Sequence, residues 1–267
     1  MCKNEIAYSL PSLRYPVRSM TQLNMTVWSM VIDCPAVTAK AQEGQFVHLL
    51  PDGNYVLRRP ISICEIDRKA GTLRLVFEVR GEGTKTLSQV RAGDTIDLLG
   101  PLGHGFTLLE PSATAVMIGG GIGTPPMLPL AQHYGKNATV ICGFRNQGAA
   151  ILQNDFAATG ADTLLCTDDG SAGHHGLVTE PLAALLREKK VDIIYACGPM
   201  PMLKAVAALA KESGVRCEVS LEERMGCGLG ACLVCACNLY LGDGNIHAGH
   251  VCKDGPVFDA ERVVWNG

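Results

Sequence analysis

Hydrophobic and polar positions alternate in short runs over roughly the first hundred residues. The runs are rich in β-branched and aromatic residues, and turns such as PDGN and RKAGT separate them. The pattern predicts strands within VRSMTQLNMTVWSMVI, GQFVHLLP, VLRRPISICEI, TLRLVFEVR and DTIDLLG. Because these strands are closely spaced and no convincing helix separates them, an antiparallel β-barrel is predicted here.

From Ala113 onward, strands and helices alternate. The apolar runs TAVMI, ATVICGF, TLLCT, DIIYACG and RCEVSLE predict strands. The segments PPMLPLAQHY, ILQNDFAATG, GLVTEPLAALLREK and MPMLKAVAALAKESG predict the helices between them. This alternation is typical of a doubly wound parallel sheet, so the fold class is β + α/β. The residues after Leu221 are rich in Gly and Cys, and the domain boundaries are predicted as 1–105, 106–221 and 222–267.

Composition and charge narrow the classes of protein. The 267 residues suffice for two domains and a small appendage, and 47% hydrophobic with 18% charged residues is an ordinary globular balance. A net charge of −3 makes nucleic acid an unexpected partner. The first residues lack a signal-peptide pattern, and no unbroken apolar run is long enough to span a membrane. We therefore expect a cytoplasmic protein without membrane contact.

Twelve cysteines in a long chain with no sign of secretion favour metal binding or redox chemistry over disulfides. Cys227, Cys232 and Cys235 have the spacing C-x4-C-x2-C, and sixteen residues separate Cys235 from Cys252. This is the ligand spacing of plant-type [2Fe-2S] clusters. The glycines within this segment can bring backbone N–H groups close to the sulfurs. The four cysteines are therefore the predicted cluster ligands.

Structural zinc is the rival interpretation of these cysteines. Zinc ribbons usually carry two C-x2-C knuckles, whereas this segment has one. Cys237 shares a strand face with Cys235 at period two, but the spacing favours Cys235 as the ligand. Five further cysteines lie in or beside strand-like runs and are expected to be ordinary buried thiols: Cys34, Cys64, Cys142, Cys166 and Cys217.

Two short motifs in the predicted barrel indicate a phosphate site. Arg59-Pro60-Ile61-Ser62 is expected to end a strand-like run, and Gly81-Glu82-Gly83-Thr84 precedes a predicted helix over TLSQV. Glycines that open a helix suit an anion, and an arginine adds bidentate charge. Together the motifs predict a dinucleotide pyrophosphate on the barrel, although an Arg-Pro pair alone also fits a turn after an exposed strand.

Three loops at strand ends indicate a second nucleotide site. GGGIGTPP, which contains Gly121 and Gly123, follows the strand TAVMI and is expected to open a helix. It departs from G-x-G-x-x-G, and GFRN stands where a ribose-binding acid is expected. Asp168 and the pair Cys197-Gly198 follow two later strands, at the sheet edge where such folds bind ligands. Each loop alone also fits ordinary loop chemistry.

These motifs together resemble the ferredoxin–NADP reductase superfamily. The four cysteines narrow the resemblance to the electron-transfer subunits of NAD-dependent dihydroorotate dehydrogenases, whose motifs also match GPLGHGF, TDDGS, GCGLGAC and CKDGPVF. The resemblance implies three cofactors, FAD, a [2Fe-2S] cluster and NAD. The implied FAD contacts are Arg59, Pro60, Ile61, Ser62, Val76, Phe77, Glu78, Gly83 and Thr84.

The resemblance also assigns individual roles. Arg59 would face the pyrophosphate and Ser62 the flavin ring, while Gly121, Gly123 and the Cys197 loop would meet the nicotinamide nucleotide. Ile61 stands where the wider superfamily often has a flavin-stacking Tyr, so the resemblance names no stacking residue.

The function implied by the resemblance is electron transfer between NAD(H), FAD, the cluster and the FMN of a dihydroorotate dehydrogenase catalytic subunit, in pyrimidine biosynthesis. The expected assembly is a heterotetramer with two copies of each subunit. The sequence shows no acid–base set for dihydroorotate, so the chain alone is not expected to oxidise it. Because no charge occurs from Met225 to Asn238, we expect Leu229 at the loop tip to contact the partner.

Two alternative functions stay open from the sequence. One is a reductase subunit of the same build that serves a hydrogenase or a ferredoxin-dependent transhydrogenase. Some of those subunits have Asp as the first cluster ligand, so Cys227 favours the dihydroorotate system. The other is a nucleotide-sensing module stabilised by zinc, which would lack the visible absorption of FAD and an iron–sulfur cluster.

Overall fold

A closed six-stranded antiparallel barrel begins the computed structural model, which describes residues 13–265. Its strands are β1 (Arg14–Gln22), β2 (Val27–Asp33), β3 (Phe46–Leu50), β4 (Arg59–Asp67), β5 (Thr72–Glu78) and β6 (Thr95–Leu102), with a short helix α1 (Pro35–Thr38). The strands pair in the order β1-β2-β5-β4-β3-β6, and β1 pairs with β6 to close the barrel. Met30, Ile63 and Leu75 fill the interior. The predicted barrel is confirmed.

A tight turn between β1 and β2 lies inside a segment whose hydrophobic pattern showed no break. The Asn24 side chain accepts hydrogen bonds from the backbone N–H of Thr26 at 3.0 Å and of Val27 at 2.9 Å. An Asn side chain that bonds nearby backbone groups in this way stabilises a turn. The segment therefore folds into an antiparallel hairpin.

The short helix α2 (Glu82–Leu87) begins earlier than the sequence pattern predicts. Gly83 and Thr84 lie inside its first turn, and the predicted helix over TLSQV is wrong because α2 ends at Leu87. The Thr84 hydroxyl accepts hydrogen bonds from the backbone N–H of Arg80 at 2.9 Å and of Gly81 at 3.2 Å. These bonds stabilise the turn and start the helix at Glu82.

A seven-stranded sheet in the order β10-β9-β8-β7-β11-β12-β15 forms the second part. Its first six strands in chain order are β7 (Ala115–Gly120), β8 (Ala138–Phe144), β9 (Asp162–Thr167), β10 (His174–His175), β11 (Ile193–Cys197) and β12 (Arg216–Ser220). The helices are α3 (Leu128–Tyr134), α4 (Gln153–Ala158), α5 (Thr179–Glu188) and α6 (Met200–Glu212). These six strands are parallel, and alternate residues such as Met117 and Ile118 belong to different apolar clusters. The predicted doubly wound sheet and the fold class β + α/β are confirmed.

The glycine-rich segment after β7 does not open an α-helix directly, as the sequence predicted. Gly119 and Gly120 belong to β7, and two 3₁₀ turns, Gly121–Gly123 and Pro125–Met127, precede α3. A Cβ at Gly120 would lie 2.6 Å from Met202 Sδ and 2.9 Å from Pro199 Cδ, so the start of α6 would have to shift to admit a side chain.

The residues after Leu221 form a small hairpin and then return to the sheet. The hairpin consists of β13 (Ala236–Tyr240) and β14 (Ile246–His250), and α7 (Val251–Asp254) follows it. The last strand, β15 (Val257–Asp259), pairs antiparallel with β12 at the sheet edge. The sequence pattern showed neither β10 nor β15, because strands of two or three residues have no measurable period. The domain boundaries stay a prediction, and β15 crosses the one proposed after Leu221.

Hydrogen bonds hold the segment that connects the barrel to the sheet. The Tyr195 hydroxyl donates to the backbone carbonyl of Thr107 at 2.6 Å and lies 2.7 Å from the Tyr134 hydroxyl. Buried Glu218 accepts the Thr107 N–H at 2.8 Å and pairs with Arg216 at 2.6 Å. These bonds anchor the connection to β11 and β12.

In the described residues, none of the helices has the length and apolar character that crossing a membrane requires.

Candidate functional site

A cavity of about 430 Å³ opens where the barrel, the parallel sheet and the C-terminal segment meet. Pro60 and Ser62 line it from β4, and Cys197 lines it from the end of β11. The rest of its wall comes from residues that were not among the predicted site residues: Phe46, Ser220, Leu221, Glu222, Glu223, Arg224, Met225 and Pro256. The cavity therefore joins residues that the sequence assigned to two different nucleotides.

Strand alternation decides which residues of the Arg59–Ser62 motif face this cavity. Pro60 and Ser62 share the outer face of β4, while the Ile61 side chain packs in the barrel core and is 8% exposed. The Ile61 side chain therefore points away from the cavity. Phe46, opposite Ser62 on β3, provides an aromatic ring in the cavity wall.

The two predicted phosphate motifs meet at Arg59 and Gly83. A Cβ at Gly83 would overlap the Arg59 guanidinium, so a side chain at this position would displace the arginine. The guanidinium also lies over the Tyr55 ring, 5.5 Å from its centroid, and donates a hydrogen bond to the Leu57 carbonyl at 2.6 Å. The cationic group is thus held at the first turn of α2.

The three residues at the end of β5 have different surroundings. Phe77 packs in the barrel core and Val76 packs in the apolar cluster that the barrel shares with the sheet. Glu78 is partly exposed and pairs with Arg80 at 2.6 Å. Among these three predicted FAD contacts, only Glu78 offers an accessible polar side chain.

The glycine loop after β7 and the Cys197-Gly198 loop after β11 are packed directly on each other. A Cβ at Gly123 would overlap the Cys197 carbonyl group. Gly121 has φ +54°, which lies in the left-handed region that favours glycine. The chain order along the sheet reverses between β7 and β11, and open α/β sheets bind ligands at such a point.

Asp168 is exposed and follows β9, two strands from β7 in the sheet. Its backbone N–H donates to the Phe144 carbonyl at 3.0 Å, which holds it beside the loop after β8.

Cys197 is buried, and burial raises the pKa of its thiol to about 12. Cys197 is therefore protonated at neutral pH and is a poor nucleophile.

Backbone N–H groups point at the sulfurs of all four predicted cluster ligands. The Cys227 Sγ accepts the N–H groups of Leu229 and Ala231 at 3.3 Å and of Cys232 at 3.4 Å. The other three sulfurs accept one each: Cys232 from Cys227 at 3.4 Å, Cys252 from Gly230 at 3.2 Å, and Cys235 from Cys252 at 3.4 Å. Such donors stabilise thiolates, so this donor set fits an iron–sulfur cluster.

The four thiols form two pairs. Cys227 interacts with the side chain of Cys232, and Cys252 interacts with that of Cys235. Among residues 13–265, no three His, Cys, Asp or Glu side chains are grouped to hold a single metal ion. Two separate pairs match a binuclear cluster, in which each iron takes two thiolates.

The two pairs differ in their electrostatics. Hydrogen bonds from the backbone N–H groups of Leu229 and Cys232 lower the pKa of Cys227 to about 6. Burial, followed by the bond with Cys235, raises the pKa of Cys252 to about 12. The exposed end of the loop thus favours the thiolate before any metal binds.

The remaining cysteines pack as ordinary apolar side chains. The five expected as buried thiols are buried, and every described cysteine is free of disulfide bonds. Cys237 is partly buried against the apolar cluster of the sheet, and burial raises the pKa of its thiol to about 11. Cys237 thus contacts this apolar cluster from β13, and its exclusion from the ligand set stays a prediction.

Comparisons with known proteins agree with this geometry. A family model for the iron–sulfur cluster binding domain of dihydroorotate dehydrogenase B matches residues 222–264. The dihydroorotate dehydrogenase B (NAD(+)) electron transfer subunit of Bacillus caldolyticus is 40% identical over 258 residues, which covers 94% of this chain and 98% of that protein. The same subunit of Desulforamulus reducens is 40% identical over 241 residues, 88% of this chain and 92% of that protein.

The chain belongs to the family of dihydroorotate dehydrogenase B electron transfer subunits.

Solved structures support the fold of this electron transfer subunit. The structure of an NADH-dependent reduced ferredoxin-NADP oxidoreductase, described for flavin-based electron bifurcation, aligns with a TM-score of 0.83 at 32% identity, covering 94% of this chain and 90% of that one. A ferredoxin NADP+ reductase from Neisseria gonorrhoeae aligns with a TM-score of 0.62 at 20% identity, covering 75% and 91%, and shows the shared fold alone.

The family membership confirms several predictions. The electron transfer subunit is part of an oxidoreductase with a flavin, an iron–sulfur cluster and NAD as cofactors. The zinc-stabilised sensor is wrong, because the cysteine segment matches an iron–sulfur domain. The individual contact residues stay predictions.

Proposed function

We propose that this chain passes electrons between NAD(H) and the FMN of a dihydroorotate dehydrogenase catalytic subunit, with FAD and a [2Fe-2S] cluster as its resident cofactors. The observation that carries the proposal is the cavity at the junction of barrel, sheet and cysteine segment. FAD exchanges a hydride with NAD(H) and single electrons with an iron–sulfur cluster. The proposed assembly is a heterotetramer with two copies of each subunit in the cytoplasm.

The proposed cluster ligands are Cys227, Cys232, Cys235 and Cys252. Six backbone N–H groups bond their sulfurs at 3.2 to 3.4 Å, which supports thiolate ligation and holds the loop in shape. Cys252 comes from α7, so closure of the site depends on the return of the chain after the β13–β14 hairpin.

The barrel motifs and the sheet loops have separate roles in the proposal. Arg59 and the first turn of α2 bind the FAD pyrophosphate, and Pro60 with Ser62 forms the floor for the flavin ring. Gly121, Gly123 and the Cys197-Gly198 loop bind the nicotinamide nucleotide beside the cavity, and Asp168 lies farther along the same sheet edge. The close packing of these two loops supports this division.

The cluster loop carries an exposed apolar surface, formed by Leu229, Leu233 and Val234, which we propose as the docking site of the catalytic subunit. The three side chains are 60%, 59% and 57% exposed, and the segment from Met225 to Asn238 has no charged residue. Exposed apolar side chains without nearby charge in their segment fit the core of a stable interface. Electron transfer favours a partner close to the cluster.

Cofactor analysis and a division-of-labour assay test the proposed function. The purified chain should contain one FAD and two iron atoms, as one [2Fe-2S] cluster requires. It should reduce ferricyanide with NADH but should oxidise dihydroorotate only after the catalytic subunit is added. One zinc without iron, or dihydroorotate turnover by the chain alone, would contradict the proposal.

A second candidate function is supported by the similarity to the NADH-dependent reduced ferredoxin-NADP oxidoreductase at 32% identity. In that case the chain would serve a ferredoxin-dependent partner. Co-purification from the native organism separates the candidates, because the partner would then carry no dihydroorotate activity. Cys227 as the first predicted ligand favours the dihydroorotate system.

A further inference from the structure

His48 on β3 is a buried imidazole whose ring has no polar partner. The residue is 0% exposed, and among the described residues neither Nδ1 nor Nε2 has a hydrogen-bond partner. A buried donor left without a partner costs about 1–3 kcal/mol, so native proteins rarely keep one without a reason.

The ring is close both to residues of the cavity wall and to the cluster loop. His48 pairs across the strands with Pro60, and its ring centroid is 5.6 Å from that of Phe46; both neighbours line the cavity. A Cβ at Gly228 would lie 2.6 Å from the His48 Cε1, 2.9 Å from Nδ1 and 3.0 Å from Nε2. Gly228 directly follows Cys227, so both ring nitrogens lie against the cysteine loop.

The surroundings of the ring decide its protonation. Burial, followed by the charge of Arg58, lowers the pKa of His48 to about 4. The neutral ring keeps one N–H donor and one acceptor nitrogen at physiological pH. On the cavity side its named neighbours, Phe46 and Pro60, offer no side-chain acceptor. The cysteine loop beside Gly228 would supply acceptors, because cluster sulfurs and thiolates accept hydrogen bonds.

We propose that His48 donates its ring N–H to a sulfur of the iron–sulfur cluster and thereby raises the reduction potential of that cluster. The inference rests on the four-cysteine ligand set proposed above. Reduction adds negative charge to the cluster, so a hydrogen-bond donor stabilises the reduced form more than the oxidised form. His48 is then a tuning residue between the flavin cavity and the cluster.

The test compares His48→Phe and His48→Gln with the wild-type holoprotein. His48→Phe keeps a planar ring without a donor, and His48→Gln keeps an amide N–H. The cluster potential is measured by an anaerobic titration followed by electron paramagnetic resonance. We expect His48→Phe to destabilise the reduced cluster relative to the oxidised cluster about tenfold. This corresponds to a reduction potential lower by about 59 mV for one electron. His48→Gln should recover part of this shift.

A direct readout and a control accompany the titration. In wild-type protein labelled with 15N-histidine, pulsed electron paramagnetic resonance of the reduced cluster should show a coupling between the cluster and a histidine nitrogen. His48→Phe should remove this coupling. His133→Phe is the control. His133 lies on α3, and its Nε2 already has a hydrogen-bond partner, the Leu109 carbonyl at 2.8 Å. This variant should leave both the coupling and the potential unchanged.

Each outcome decides the proposal. A His48→Phe protein with full iron, wild-type cluster potential and unchanged resonance would make His48 a packing residue. A shift of the flavin potential without a shift of the cluster potential would assign the imidazole to the flavin and overturn the proposal. If His48→Phe loses its iron, the nitrogen coupling in the wild type decides. Absence of iron from the wild type would instead overturn the ligand set before any variant is made.

Discussion

Replacing Leu229 with Glu tests whether the apolar surface of the cluster loop is the docking site. Leu229 is 60% exposed in the isolated chain, so the substitution should alter its folding stability by no more than about 0.5 kcal/mol. In a complex that covers the loop, the same carboxylate would lie in an apolar contact without a charged partner. The variant therefore separates partner binding from folding.

The expected loss of affinity has two parts. Full burial of a leucine side chain contributes about 1.5–3 kcal/mol, and covering the exposed 60% of this one contributes about 1–2 kcal/mol. Desolvation of the new carboxylate adds to this loss. A combined loss of at least about 2 kcal/mol raises the dissociation constant roughly thirtyfold.

Titration calorimetry with the catalytic subunit measures this change in affinity. Separate assays of the free variant determine its iron content, its FAD content and its NADH–ferricyanide activity. Leu177→Glu is the matched control, because Leu177 is 62% exposed and lies beside β10, at the opposite end of the sheet from β15. It should bind the partner as the wild type does. Wild-type affinity of Leu229→Glu with its cluster intact would refute the docking model, and loss of the cluster would make Leu229 a packing residue.

Five further substitutions, arranged in three tests, examine the cofactor sites and the fold. Cys232→Ser should remove the iron measured in the purified chain, while Cys237→Ser should retain it; the opposite result would show that the ligand set is wrong. Gly83→Ala should lower FAD affinity at least about tenfold, or roughly 1.4 kcal/mol, because the new Cβ would overlap the Arg59 guanidinium. Gly81→Ala is the control: its Cβ would have no atom within 4 Å, so this variant should bind FAD normally. Tyr195→Phe removes hydrogen bonds of 2.6 and 2.7 Å and should cost about 1–2 kcal/mol in thermal or urea unfolding; unchanged stability would mean that these bonds do not hold the connection between barrel and sheet.

Local patterns in the sequence were enough to predict the fold class and to favour an iron–sulfur cluster over zinc in the cysteine segment. Strand and helix periods depend on neighbouring residues, so the barrel and the parallel sheet could be predicted from them. The spacing of Cys227, Cys232 and Cys235 is also local, because one loop must carry three ligands. Short elements could not be predicted in this way, because β10 and β15 have too few residues to show a period. The start of α2 was also not predicted, because it depends on hydrogen bonds accepted by the Thr84 hydroxyl.

The tertiary structure alone decided how these local elements share a site. It placed Phe46, Pro60 and Cys197 around one cavity, although they come from separate parts of the chain. It packed the Arg59 guanidinium against Gly83 and the His48 ring against Gly228. Such contacts join residues that are distant in the chain, and they depend on how the barrel and the sheet pack together. No period or spacing records that packing, because the side chains at a contact become neighbours only after both units have folded.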